Sequence, residues 1–202
     1  MKALTGLSSA QFAQLLPALS DTYDATQLPD WSWYATGPCH GIQLRSGRLV
    51  TPGNHKVIKH KDGLADADRA HIIYSDDHGE SWKLGGSVDN YTNESTVLET
   101  ADGWLYLNSR NQYRSLENNI HFRRVTWSND SGGNFSPSVR DDGLPEPRCQ
   151  GNVCRYTLEE DGPAGRGKNR VLFSNPGNAE QGERLDLIVV RDSILVPRAR
   201  PS

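Results

Sequence analysis

The sequence of 202 residues predicts an all-β fold with one short helix near its N-terminal end. From Trp31 onward, short segments rich in Val, Ile, Leu, Tyr and Trp are separated by Gly, Asp, Asn and Pro, a pattern typical of strands and turns. Two similar hairpins and two similar turns recur along this part of the chain. A long, nearly fixed repeat of this kind is typical of propellers and solenoids.

The only good helix candidate lies between Leu7 and Leu19. Apolar residues stand at positions 7, 12, 15, 16 and 19, and Ser8 and Ser9 can cap the helix before the turn-rich segment 21–30. We expect residues 1–28 to form an N-terminal extension, separate from the strands that follow.

Two hairpins form the repeat. The first covers Gly41–Val50 and the second covers Thr96–Tyr106, and each turns at a glycine. These glycines, Gly47 and Gly103, are 56 residues apart.

Each hairpin is followed by a strand that leads into a turn. The two strand-and-turn segments are His71–Trp82 and His121–Phe135. A third hairpin is predicted from Gly151–Thr157 to Arg170–Ser174, followed by a strand at Leu185–Val190. No matching turn follows it, so the third unit is incomplete.

The two turns share the pattern S-x-D-x-G-x-x-[W/F]. In each turn, the Asp side chain can accept hydrogen bonds from the backbone of the turn, the Gly can adopt a positive φ, and the aromatic residue can pack between strands. Asp77 and Asp130 are therefore predicted to be structural rather than catalytic. The matching positions are Ser75, Asp77, Gly79 and Trp82 in the first turn and Ser128, Asp130, Gly132 and Phe135 in the second.

Composition and charge exclude several classes of function. The net charge of −3 and the scattered Lys and Arg argue against nucleic-acid binding. No run of apolar residues is long enough to span a bilayer, and residues 1–20 lack the features of a signal peptide. The three cysteines do not form a disulfide framework, and no group of residues has the spacing of a metal site. We expect no metal and no organic cofactor.

The order of five segments identifies a family resemblance. The segments are DWSWYATGPCHGIQL, SDDHGESW, NESTVLETADGWLYLNSRN, LPEPRCQGN and VLFSNP. Their order resembles that of exo-α-sialidases (neuraminidases) of glycoside hydrolase family 33, and the two repeated turns resemble the Asp box (BNR repeat) of that family. The resemblance covers residues 29–191 and implies a sialidase-type β-propeller, of which this chain supplies about three of six blades. Residues 192–202 are expected to be a tail.

The resemblance implies a substrate and a site. Sialidases of this family remove terminal sialic acids from glycans with a tyrosine nucleophile, a glutamate beside it, an aspartate as acid/base and three arginines that hold the substrate carboxylate. A neutral tyrosine suits this reaction because a carboxylate nucleophile would be repelled by the anionic substrate. Glu94 matches the family glutamate and Arg110 matches one of the clamp arginines.

Glu94 and Arg110 are also paired by the sequence itself. Their numbers are symmetric about the Asp102-Gly103 turn, so we expect them to face each other across the hairpin. The alternative interpretation is a cross-strand salt bridge without catalytic meaning.

Arg184 is the candidate for the third clamp arginine, because it follows the segment VLFSNP as in the family. A guanidinium can grip a carboxylate through two hydrogen bonds. Arg191 is the second choice, and a solvated strand-edge arginine is the alternative. Arg148 matches a loop that lies close to the pocket in this family, with a surface arginine as the alternative. His40 is interpreted as a loop or packing histidine rather than a proton donor. We assign a catalytic role to neither residue.

No segment of the chain matches the first clamp arginine, the acid/base aspartate or the tyrosine of the family. We therefore expect a fragment or a truncated paralogue, with impaired activity and with sheet edges open to self-association. Three functions remain in competition at this point. They are a sialidase-like hydrolase, a non-catalytic propeller fragment that binds glycans or pairs with another chain, and an Asp-box propeller of unrelated function.

Overall fold

A computed structural model describes residues 31–57, 67–112, 122–161, 168–177 and 187–192. Its regular structure consists of twelve strands and one short 3-10 helix, Glu159–Asp161. The predicted N-terminal helix lies outside the described residues, as does nearly all of the predicted tail.

The first sheet contains the first predicted hairpin. Its strand order is β1-β3-β4-β5, and the short β2 also pairs with β3. All of its paired strands are antiparallel. The strands are β1 (Trp31–Thr36), β2 (Ile42–Gln43), β3 (Leu49–Val57), β4 (Ala67–Ser75) and β5 (Lys83–Ser87).

The second sheet contains the second predicted hairpin and has its four strands in chain order, each antiparallel to the next. The strands are β6 (Thr92–Glu99), β7 (Leu105–Asn111), β8 (Phe122–Ser128) and β9 (Val139–Pro145).

The third sheet has the order β10-β11-β12. Its strands are β10 (Asn152–Thr157), β11 (Arg170–Pro176) and β12 (Leu187–Asp192). The predicted third hairpin is therefore confirmed. Residues 185 and 186, at which the last predicted strand begins, lie outside the described residues. The number of propeller blades stays a prediction.

Both predicted hairpin turns are confirmed. Gly47 has φ 94° and Gly103 has φ 86°, values that glycine adopts without strain. In each turn the glycine N–H donates to a carbonyl three residues earlier, to Leu44 at 2.9 Å and to Thr100 at 3.0 Å.

Strands β6 and β7 of the second sheet are buried on both faces. Val97, Leu105 and Leu107 pack in one core cluster with side chains of the first sheet, including Val50 and Ile72. The intervening residues pack in another cluster with the third sheet; its members are Leu98, Tyr106, Val125, Trp127, Leu144, Val153 and Phe173. Because neighbouring side chains of a strand point to opposite faces, the central residues of β6 and β7 are either apolar or, like Thr96 and Asn108, buried with hydrogen-bond partners.

The first Asp box turn follows β4. Ser75 Oγ donates to Asp77 Oδ1 at 2.7 Å, and the backbone N–H groups of Gly79 and Ser81 donate to Ser75 Oγ at 2.8 Å and to Asp77 Oδ1 at 2.9 Å. The bonds from Ser81 and Ser75 hold the pKa of the Asp77 carboxyl well below its usual range. Trp82 is buried against Ile73.

The second Asp box turn, after β8, repeats this geometry. Ser128 Oγ donates to Asp130 Oδ1 at 2.7 Å, Gly132 N donates to Ser128 Oγ at 2.9 Å, and Asn134 N donates to Asp130 Oδ1 at 2.9 Å. Partial burial raises the pKa of Asp130, but the bonds from Ser128 and Asn134 outweigh it and bring the pKa to about 2. Phe135 packs against the core between the first two sheets. Both carboxylates are thus occupied by their own turns.

A pair of buried histidines joins β3 to β4. His55 and His71 are 1% and 0% exposed, and their Nδ1 atoms are 3.0 Å apart. Trp31 of β1 stacks on His55 with ring centroids 3.5 Å apart. Burial, and then the nearby Arg69, lower the pKa of His55 to about 3, and burial and His55 lower the pKa of His71 well below its usual value. Both rings are therefore neutral at pH 7, and one donates its Nδ1–H to the other.

The histidine pair predicts that the fold loses stability in mild acid. The pKa values of both histidines are lower in the folded state than in the unfolded state. Their contribution to the free energy of unfolding is therefore present above pH 6.5 and is lost as the pH falls toward the pKa values of the folded state. We expect the free energy of unfolding to drop by roughly 2 kcal/mol for each histidine between pH 6.5 and 5. Urea unfolding at several pH values measures this slope. The slope should become about half as steep in His55→Gln, because His71 remains, and stay as in the wild type in His78→Asn, an exposed control. Equal slopes in the two variants would contradict the prediction.

A second prediction concerns the glycine of the second Asp box. Gly132 and Gly47 both have positive φ, but a Cβ at Gly132 would lie 2.1 Å from Ile72 Cδ1, whereas a Cβ at Gly47 would meet nothing within 4 Å. Gly47→Ala should cost about 1–2 kcal/mol for the backbone alone. Gly132→Ala should cost about 1–3 kcal/mol more, because it also overpacks the core. Denaturant unfolding of the two variants tests this difference, and equal losses would show that the space at Gly132 does not matter.

Candidate active site

Glu94 and Arg110 form an ion pair at one end of the second sheet. Arg110 Nη1 donates to Glu94 Oε2 at 3.0 Å, so the prediction that the two residues face each other is confirmed. Their side chains are 30% and 21% exposed. In β6 and β7, Glu94, Glu99 and Arg110 are the only residues that are not buried. The pair thus lies where the sheet opens to solvent.

The strand register places the two residues opposite each other. Ser95 pairs with Ser109, which brings positions 94 and 110 together, and the ladder shifts between Thr92 and Ser95. At this irregularity Asn93 Oδ1 accepts a hydrogen bond from Glu94 N at 2.6 Å. Bulges of this kind re-aim a side chain at the edge of a sheet.

The loop between β1 and β2 contacts the start of β6. Pro38 forms a parallel bridge with Ser95, and the buried Cys39 Sγ donates to Gly151 O at 3.1 Å. Burial raises the pKa of the Cys39 thiol to about 11. Cys39 is therefore a neutral packing residue rather than a nucleophile.

The start of β10 contacts the same part of β6. Thr96 Oγ1 accepts a hydrogen bond from Val153 N at 3.1 Å and donates to Asn152 Oδ1 at 3.2 Å. The three sheets therefore meet beside Glu94.

A buried ion pair next to this site was not predicted. Arg123 and Glu146 are both 0% exposed, and Arg123 Nη1 lies 3.3 Å from Glu146 Oε2. One signal in the sequence points to it. Arg123 lies two residues before the buried Val125 and four before the buried Trp127 on β8. Because side chains alternate between the two faces of a strand, this spacing alone places the Arg123 side chain on the same buried face.

Four other residues considered from the sequence have different outcomes. Arg184 lies outside the described residues, and its role stays a prediction. Arg191 lies in β12, where it pairs with Leu172. Arg148 lies in the segment between β9 and β10 with φ 54°, in the left-handed region that is uncommon for arginine. His40 is half-buried in the loop between β1 and β2.

The Asp boxes lie at the other end of the sheets. Ser128, which opens the second box, pairs with Leu105 at the start of β7, whereas Arg110 lies near the end of that strand. Five residues of strand separate these positions by about 17 Å. This distance supports the prediction that the boxes are structural.

A surface cleft of about 330 Å³ also lies at the end of the sheets away from Glu94. It is lined by residues of two hairpin turns and of the segment that joins β10 to β11, namely Arg45, Ala101, Leu158, Glu159, Glu160 and Asn169. Because this cleft is separate from the Glu94–Arg110 pair, it is not part of the candidate site.

No metal or membrane feature is found in the part of the chain that the structure describes. There, no three residues of the types His, Cys, Asp and Glu come together as metal ligands would. The same residues contain no helix with the length and apolar character needed to cross a membrane.

Comparisons with known proteins show the family and the fold of this chain. The family model of the BNR repeat-like domain matches residues 20–193. The sialidase of Micromonospora viridifaciens is 35% identical over 159 residues, which cover 76% of this chain and 23% of that protein. A Hadza microbial sialidase superposes with a TM-score of 0.66 at 30% identity, over 82% of this chain and 29% of that one.

A third comparison comes from a structure with a ligand. The Trypanosoma rangeli sialidase in complex with sialic acid superposes with a TM-score of 0.51 at 26% identity, over 72% of this chain and 21% of that one. The chain described here belongs to the BNR repeat-like domain family. The similar proteins named above are sialidases. The predicted all-β fold of the sialidase type is thereby confirmed. The chain spans about a quarter of the length of the curated sialidases that it matches.

Proposed function

We propose that this chain is part of an exo-α-sialidase-like glycoside hydrolase that acts on terminal sialic acids of glycans. The observation that carries the proposal is the half-buried ion pair of Glu94 and Arg110 at the junction of three sheets, in a chain whose relatives are sialidases. In this proposal residues 29–191 form the partial propeller, with residues 1–28 and 192–202 as flanking segments.

Arg110 is proposed to bind the carboxylate of sialic acid. Its contact with Glu94 engages only Nη1, and among the described residues its buried Nε finds no hydrogen-bond partner. The guanidinium therefore keeps donors for a second carboxylate, and its planar fork suits two-point binding. Arg184 is proposed as a further clamp arginine on the strength of the sequence alone.

Glu94 is proposed as the base that assists a tyrosine nucleophile. Its carboxylate is held by Arg110 but is still 30% exposed, so it can reach a second partner. Tyr34 and Tyr106 do not suit the nucleophile's role, because burial raises the pKa of both phenols well above the usual value and disfavours the phenolate.

The test separates binding from catalysis. Binding of sialic acid and of its methyl ester to the full chain would be measured by NMR titration, together with hydrolysis of a fluorogenic sialoside. Arg110→Ala should weaken binding of the acid at least about tenfold and leave binding of the ester nearly unchanged, because the lost contact is to the carboxylate. Glu94→Gln should keep acid binding and lower any hydrolysis.

Arg140→Ala is the matched control, since Arg140 is an arginine on β9 that pairs with the exposed Asp142. This control should bind the acid as the wild type does. Acid binding without hydrolysis in the wild type would favour the non-catalytic glycan-binding function. Wild-type chain that binds neither the acid nor the ester would refute the proposal.

We also propose that copies of the chain self-associate through their edge strands. Three large hydrophobic side chains of the described residues are exposed, and each lies on a strand at the edge of its sheet. They are Trp33 on β1, Val139 on β9 and Tyr156 on β10. Edge strands present unpaired backbone groups and invite association when apolar side chains accompany them.

Sedimentation equilibrium tests this second proposal. The wild-type chain should show a molecular mass that rises with concentration, and Val139→Lys should shift the midpoint to at least about tenfold higher concentration, because a charge on an edge opposes pairing. Asp142→Lys, at an exposed polar position on the same strand, serves as the control for added charge. A monomer at every concentration would contradict self-association.

A further inference from the structure

We infer that the buried pair of Arg123 and Glu146 is a positioning device, which sets the backbone on both sides of Arg110 and thereby tunes carboxylate binding. This inference rests on the proposed role of Arg110 in binding sialic acid. Neither Arg123 nor Glu146 is exposed, so both act through other residues.

The pair holds β7 on either side of Arg110. Before it, Arg123 Nε donates to Asn108 Oδ1 at 2.5 Å and Nη2 donates to Asn108 O at 3.2 Å. After it, Asn111 N donates to Glu146 Oε1 at 2.7 Å. The backbone of β7 is therefore held two residues before Arg110 and one residue after it.

The same pair also closes the turn that follows β9. Cys149 N donates to Glu146 Oε2 at 3.0 Å, and Cys149 O accepts from Arg123 Nη1 at 2.6 Å. Arg148 lies inside this closed turn with its φ of 54°. One ion pair thus joins β7, β8 and the turn that contains Arg148, and it ties the location of that turn to the location of Arg110.

Stability alone does not account for the pair. Two fully buried charges pay a desolvation cost that their attraction rarely exceeds, and an apolar pair of similar size is often as stable. Apolar residues do occupy the next inward positions of β8, Val125 and Trp127. An apolar pair cannot accept hydrogen bonds from the backbone N–H groups of Asn111 and Cys149. These hydrogen bonds locate Arg110 and Arg148.

A pre-organised clamp binds its anion more tightly because less order has to be created on binding. Loosening Asn108 and Asn111 should therefore weaken binding of the acid even though Arg110 itself is unchanged. Binding of the methyl ester, which lacks the carboxylate charge, should change little. If the pair had only a structural role, its loss would weaken binding of the acid and of the ester alike.

The experiment uses Glu146→Gln in the full chain, with three measurements. Amide hydrogen exchange at Asn111 and Cys149 should become at least about tenfold faster, the Arg110 Nε–H resonance should shift, and the affinity for sialic acid should fall about tenfold more than that for the methyl ester. Val125→Ala is the control, because it lowers Tm through a cavity on the same strand face. Val125 pairs with Asn108 across the strands, but its side chain makes none of the hydrogen bonds that hold Asn108, Asn111 and Cys149.

Each outcome decides the inference. It is overturned if Glu146→Gln folds and keeps wild-type exchange at Asn111 and Cys149, or if Val125→Ala shows the same selective loss of acid binding. Should Glu146→Gln fail to fold, Arg123→Lys, which keeps the charge but cannot reach both Asn108 and Cys149, takes its place with the same criteria. Should wild-type chain bind no sialic acid, the proposed function fails, and the exchange and Arg110 resonance still decide whether the pair positions β7.

Discussion

Burial of both faces of β6 and β7 in the second sheet constrains most of this structure. Side chains alternate along β6 and β7, so that Val97 faces the first sheet and Leu98 the third. Every position in the middle of these strands must then be apolar or fully hydrogen-bonded. Charged groups can lie only at the ends, as Glu94 and Arg110 do, or be paired inside, as Arg123 and Glu146 are.

The two ends of the sheets have different roles. At one end, the Asp box turns use their own carboxylates to satisfy backbone N–H groups, and those carboxylates are not available to a ligand. At the other end, the loop with Cys39, the bulge before Ser95 and the start of β10 converge on the ion pair of the candidate site. This separation lets the turns stabilise the fold without competing with the site.

Much of the fold was predictable because its signals are local. The hairpins at Gly47 and Gly103 need a positive φ that glycine provides, and the S-x-D-x-G pattern binds its own backbone. The pairing of Glu94 with Arg110 followed from symmetry about one turn. The N-terminal helix and Arg184 stay predictions, since they lie outside the described residues. The pair of Arg123 and Glu146 was missed because its partners come from separate strands and a turn.

By itself, the sequence determined the strands, the two hairpin turns, the Asp boxes and the resemblance to sialidases, because each depends on residues close together in the chain. Only the tertiary structure decided that Cys39 lies beside Gly151, that His55 and His71 share one hydrogen bond, and that Glu146 accepts hydrogen bonds from the backbone N–H groups of Asn111 and Cys149. These contacts join residues of different sheets, strands and loops. Their distances depend on how the sheets pack, which no short stretch of sequence specifies.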